Sequence, residues 1–125
     1  MFALNFADRH TYNFEEQVLP LARAQNAGVA AMKVYGGSID MKYDKPYPSM
    51  LTRSGFVDHE RALRYALALP DVDLAVLGVF NETELEQNVA WVRRYQPLAA
   101  AEEAALLAQG RALAAEWGPH YGALE

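Results

Sequence analysis

The sequence contains no cysteine, which excludes a disulfide framework, a thiolate metal site and an iron–sulfur cluster held by this chain. It has no apolar run as long as a membrane span. It has no basic excess either. The formal net charge of -5 weighs against a nucleic-acid groove or an anionic membrane surface as partner. Asp8, Arg9 and His10 interrupt the N-terminus too early for the apolar segment of a signal peptide. Repeats at solenoid periods are missing, and the one biased stretch is an alanine-rich helix. These absences fit a cytoplasmic protein. What remains is the composition of a single globular domain, with 52% hydrophobic and 22% charged residues in a chain of 125.

The most informative stretch covers residues 72–88. Leu74, Ala75, Val76 and Leu77 form a continuous apolar run of strand length, as in a parallel sheet buried on both faces. Gly78 ends the run and lets backbone turn or approach a ligand closely. Asn81 then stands as a helix N-cap, with Glu84 three residues on to complete a capping box. A strand that feeds a helix N-terminus collects unpaired N–H groups and the positive end of a dipole, which suits phosphate. An ordinary joint that binds nothing has the same pattern.

The remaining segments alternate in kind. Phe2 to Phe6 reads as the end of a strand, and residues 8–13 as a solvated polar loop in which Asp8 and His10 fall short of a metal site. Asn13 and Glu16 predict a capped helix with Phe14, Val18, Leu21 and Ala22 on its apolar face. Pro20 requires that helix to kink, or to begin anew near Leu19. Residues 28–34 are a second strand with Lys33 at its carboxyl end. That lysine suits a phosphate clamp, a ligand hydrogen bond, a Schiff base, or simply a side chain reaching solvent. Residues 36–57 form a long loop carrying Tyr43, Pro46, Tyr47 and Pro48, which follows Tyr35. Asp58 caps a helix that Pro70 stops, with Ala62, Leu63, Ala66 and Leu67 available to pack and His59 exposed in its first turn. Residues 82–95 predict a helix burying Leu85, Val89 and Val92, with Trp91, Arg93 and Arg94 off that stripe. Residues 100–117 predict a last helix with Leu106, Leu113 and Trp117 on one side. The alternation implies an α/β fold of parallel strands with helical crossovers.

Several of these runs together resemble the aldo/keto reductase family. They are Leu4-Asn5-Phe6-Ala7-Asp8, Phe14-Glu15-Glu16-Gln17-Val18-Leu19-Pro20-Leu21-Ala22 and Gly28-Val29-Ala30-Ala31-Met32-Lys33. Ala62-Leu63-Arg64-Tyr65-Ala66-Leu67-Ala68-Leu69-Pro70, the run from Val72 to Gly78 and Glu84-Leu85-Glu86-Gln87-Asn88-Val89 continue the match. The closing Trp117-Gly118-Pro119-His120 is similar to the ending of one bacterial branch. The resemblance covers nearly the whole chain. It implies a partial (β/α)8 TIM barrel: one domain, residues 1–125, corresponding to the last three strands with their helices. Complete barrels of this type run to about 250 residues.

For the full-length family the resemblance implies NAD(P)H-dependent reduction of aldehydes or ketones. Its catalytic aspartate, tyrosine, lysine and histidine lie on earlier strands and have no counterpart here, so no catalytic residue and no metal ligand is assigned. The cofactor half is represented. Met32 takes the place that packs on the nicotinamide; Lys33, Tyr35, Gly36 and Gly37 follow the backbone along the pyrophosphate. Gly78, Val79, Phe80 and Asn81 correspond to the loop at the adenosine phosphates, and Gln87 and Asn88 to the pair that recognises adenine. NADP-preferring members carry a cation in that loop; here it is absent, and Glu82 and Glu84 stand nearby. The expected partners are a nicotinamide dinucleotide and a small carbonyl substrate in a completed barrel, with self-association or docking to a missing N-terminal half. The competing reading is a non-catalytic module that binds nucleotides or another subunit.

Overall fold

The computed structural model describes residues 1–38 and 47–123. Tyr43 and Pro46 of the long loop lie outside the described residues. Three short strands, β1 (Phe2–Ala3), β2 (Ala30–Met32) and β3 (Leu74–Ala75), form one parallel sheet in the order β1–β2–β3. Phe2 lies beside Ala31, Ala3 beside Met32, Ala30 beside Leu74 and Ala31 beside Ala75. The helices are α1 (Phe14–Gln17), α2 (Leu19–Ala24), α3 (Met50–Arg53), α4 (His59–Ala68), α5 (Glu82–Arg93) and α6 (Ala100–Trp117). The chain is thus mixed α/β, with parallel strands joined through helices as the alternation implies. Among the described residues no helix is long and apolar enough to cross a membrane.

Local chemistry explains most boundaries. The first helical segment breaks at Val18 and restarts as α2, which places Pro20 in a first turn where no N–H is required. The restart shifts the helical phase: Leu19 becomes buried, while the expected core residue Leu21 is exposed. Asn13 precedes α1 but does not cap it. Its backbone is left-handed, with φ of 51°, and its amide donates to Glu16 Oε2 at 2.8 Å instead. Asp58 does cap α4, accepting from the Arg61 N–H at 3.0 Å. Helix α3 lies inside the stretch read as loop. Its signal was Ser49, whose hydroxyl accepts from the Thr52 N–H at 3.2 Å.

Helix α4 is wedged between two parts of the core. Ala62 and Tyr65 face Phe6, Leu51, Leu106 and Trp117, whereas Leu63 and Ala66 face Leu4, Val29, Ala31 and Val34. The i, i+3, i+4 spacing supplies both faces at once. Tyr65 buries its ring but keeps its hydroxyl bonded, donating to the Glu15 carboxylate at 2.7 Å and accepting from Arg9 Nη1 at 2.8 Å. Helix α6 buries Leu106 and Trp117 as expected and packs Gly110 directly onto the Phe6 backbone.

Three further expectations fail. Residues 8–10 form a short 3-10 turn rather than a solvated loop: Asp8 is buried, and His10 bonds the Leu107 carbonyl at 3.1 Å. Leu74 and Val76 are about half exposed, at 50% and 47%, because they lie on and just after β3, an edge strand of the sheet. In α5 the stripe of Leu85, Val89 and Val92 is exposed, and Asn88 and Trp91 turn inward. The physical reason is Trp91. One indole buries more area than an aliphatic side chain, and its packing against the core cluster that holds Leu63, Ala66 and Val34 rotates the helix away from the aliphatic stripe.

Candidate functional site

Two cavities open at the carboxyl ends of β2 and β3, the region where α/β proteins gather ligand-binding groups. The larger is about 560 Å³ and the smaller about 210 Å³. Tyr35, Tyr47, Ser49, Gly78 and Phe80 form walls of both, so the two make one cleft. Its size falls in the range of small-molecule and cofactor sites.

Met32, Lys33, Gly37 and Leu77 line the smaller cavity. Lys33 is held in the left-handed region at φ of 57°, where a non-glycine residue bears strain on the order of 1–3 kcal/mol. Two hydrogen bonds hold it there. Asn5 Nδ2 donates to the Lys33 carbonyl at 3.0 Å, and the Gly36 N–H donates to the same oxygen at 2.7 Å. The side chain then runs across Gly37 and brings Nζ to 5.6 Å from the Tyr121 ring centroid. A Schiff-base nucleophile needs an amine desolvated among apolar groups. Lys33 instead lies over an aromatic face in the field of the Asp8 carboxyl.

The larger cavity is set by α5, α3 and the start of α4. The Tyr35 hydroxyl donates to Asn88 Oδ1 at 2.8 Å, and burial pushes it above its ordinary titration range. This bond fixes a buried carboxamide in the cavity wall. His59 stands edge-on to the Tyr35 ring and its Nε2 lies 3.0 Å from Thr52 Oγ1. At the start of α5, Asn81 Oδ1 accepts from the Glu84 N–H at 2.8 Å, as the capping motif predicts. Glu84 reaches one residue further back than in a standard box, accepting from the Phe80 N–H at 2.9 Å and from Asn81 Nδ2 at 3.1 Å. A carboxylate therefore occupies the place where this helix N-terminus would receive a phosphate.

Of the residues named from the sequence, Met32, Lys33 and Gly37 line the smaller cavity, Gln87 and Asn88 the larger, and Tyr35, Gly78 and Phe80 both. Gly36, Val79 and Asn81 line neither. Gly36 is buried against Trp117 and Met50, Asn81 is engaged in capping, and Val79 is exposed. The sequence reading missed Ser49, Thr52 and Trp91, and set His59 aside as an exposed residue, although it is half-buried in the cavity wall. The Ser49 cap was the available signal for the first two. Among the described residues no group of three or more His, Cys, Asp or Glu side chains could hold a metal ion.

Comparison of the chain with protein-family models, with curated proteins and with solved structures gives no match.

Proposed function

We propose that this chain carries the dinucleotide-binding end of an aldo/keto reductase-like (β/α)8 barrel, its three strands being the last three of that barrel. The observation that supports it is the shared cleft. Met32, Lys33, Tyr35, Gly37, Gly78, Phe80, Gln87 and Asn88, all named from the family resemblance, line two adjoining cavities that share walls. The residues suit a dinucleotide: aromatic faces from Tyr35, Phe80 and Trp91, a fixed carboxamide at Asn88, and a lysine at the narrow end.

When bound, the nicotinamide supplies hydride chemistry; the chain's own part is to bind and orient. Gln87 and Asn88 would hold the adenine, residues 33–37 the pyrophosphate, and Met32 the nicotinamide ring. Glu84 at the start of α5 repels a second phosphate on the adenosine ribose and so favours NAD over NADP. Carbonyl reduction by this chain alone is not expected, since the tetrad has no counterpart in the sequence. Calorimetry with NAD, NADP and ADP tests the reading, with heat expected for NAD and ADP and less for NADP. Silence at millimolar ligand would remove it. Turnover of an aldehyde panel would overturn the inactivity of the chain by itself.

A second reading, a subunit-interaction module, draws on the exposed Leu85, Val89 and Val92 of α5 and on the exposed Leu74 and Val76 at the edge of the sheet. Sedimentation separates the two. A concentration-dependent mass favours association, and a constant monomer mass removes it.

A further inference from the structure

Helix α5 has partners on two of its flanks and none, among the described residues, on a third. Glu84, Gln87, Asn88 and Trp91 line the larger cavity. Arg94, just past the helix, donates to the Glu60 carboxylate of α4 at 2.7 and 3.1 Å, so its flank faces α4. Leu85, Val89 and Val92 are exposed. At about 3.6 residues per turn these three lie opposite Arg94, and their i, i+4, i+7 spacing makes them one apolar seam.

The seam points past the edge of the sheet. Helix α4 packs on its inner part, with Leu63 and Ala66 in one cluster with Leu4, Val29 and Ala31. The direction away from α4 is therefore toward the outer side of β3, where the strand order ends. That edge pairs with no strand among the described residues, and Leu74 and Val76 are exposed there. An open strand edge is a template for another strand.

The charges beside the seam are arranged by sign. Glu82 and Glu86 stand at its amino end and Arg93 at its carboxyl end, all exposed and all on the flank away from the cavity. None of the three is in an ion pair among the described residues. This face is complementary to itself. Laid antiparallel on a second copy, the seam covers itself, Glu86 of each chain meets Arg93 of the other, and the helix dipoles oppose. Laid parallel, the carboxylate end would lie beside a carboxylate end. A two-fold axis perpendicular to the sheet also sets the open edge of β3 antiparallel beside its copy, so one operator covers both exposed features.

We propose that α5 and the outer edge of β3 form an isologous interface for a second copy of this chain, with α5 antiparallel to α5. The proposal rests on the association reading above and supplies its partner and geometry. The seam follows a 12-residue helix, about 18 Å long. That is a small patch for a permanent dimer, so the pair dissociates on dilution. The cavity wall uses a different flank of α5, which leaves the cleft open.

Sedimentation from micromolar to millimolar protein reads the association, and wild type is expected to pass from monomer to dimer. Glu86→Arg and Arg93→Glu each set like charges across the axis and should weaken the dimer about tenfold or more. The double variant restores both pairs and with them the wild-type association. Mixed together, the two single variants should form a heterodimer, because each supplies the charges the other lacks. Both positions are exposed on the helix surface, so the fold, followed by circular dichroism, is retained. Val89→Glu, at the centre of the seam, should abolish the dimer. A constant monomer mass up to millimolar protein removes the association reading and the proposal with it. A dimer that survives Val89→Glu, single variants that associate like wild type or fail to pair on mixing, or a mass beyond the dimer overturns this interface alone and assigns α5 to another partner.

Discussion

Replacing Gly110 by alanine opposes two physical effects of known sign. Alanine is the better helix former, by about 0.8–1 kcal/mol in a helix interior. But Gly110 faces the Phe6 backbone, and a Cβ there would stand 2.2 Å from the Phe6 carbonyl oxygen and 2.8 Å from its ring Cδ2. Backbone atoms cannot swing away like a flexible side chain, so α6 must withdraw by about 1 Å. A gap of that size forfeits a quarter to a half of each dispersion contact. The contacts at risk are those of Leu106 and Trp117, both in the core cluster with Phe6. Overpacking of this kind costs about 1–3 kcal/mol, so near the upper end about 2 kcal/mol of net destabilisation remains after the helix gain. For a domain of this size that lowers Tm by about 8 °C. Thermal and urea unfolding of Gly110→Ala would measure it, with exposed Ala108→Gly as a propensity control costing about 1 kcal/mol. A neutral or stabilised Gly110→Ala would refute the packing of α6 on Phe6.

Other outcomes follow from the same geometry. Gly78 has a φ outside the left-handed region and nothing within 4 Å of its Cβ position, so Gly78→Val should keep the fold while narrowing both cavities; nucleotide affinity measured by calorimetry should drop about tenfold, a loss of about 1.4 kcal/mol. On α5, Trp91→Ala should cost about 3 kcal/mol, whereas Leu85→Glu should stay within about 0.5 kcal/mol, the reverse of the sequence expectation. Burial raises the Glu15 carboxyl above its ordinary 4.5, with Tyr65 and Arg9 pulling it down. A raised folded-state value means the favourable contribution is complete below the unfolded value and is lost as pH rises through the folded one. The stability of Glu15→Gln relative to wild type should therefore rise with pH across that window, as read from urea midpoints; a relative stability that falls would reverse the assignment.

The elements that could be read in advance were those with local causes. The Asn81 and Asp58 caps, the break forced by Pro20 and the parallel order of the strands all follow from short-range chemistry. The Leu106 and Trp117 face of α6 also followed, from helical period. The errors came from causes that spacing does not carry. Leu85, Val89 and Val92 made the better aliphatic stripe, but one indole outweighed them. Leu74 and Val76 have the composition of a buried strand, yet they lie at the edge of the sheet and are about half exposed. At the site, Gly78, Gln87 and Asn88, named from the resemblance, line the cavities. The contribution of Thr52 and His59 depends on α3 folding back across the cleft. The approach of His120 Nε2 to within 3.6 Å of Asp8 Oδ1 in the interior was invisible, because nothing in either neighbourhood indicates that the two segments meet.

The central claim, a dinucleotide cleft at the carboxyl ends of β2 and β3, is tested most directly by mapping amide shifts on addition of ADP. The expected map has Tyr35, Ser49, Gly78, Phe80, Gln87 and Asn88 moving together, because they wall one space. No shifts at millimolar ADP, or shifts confined to residues outside the cleft, would contradict it.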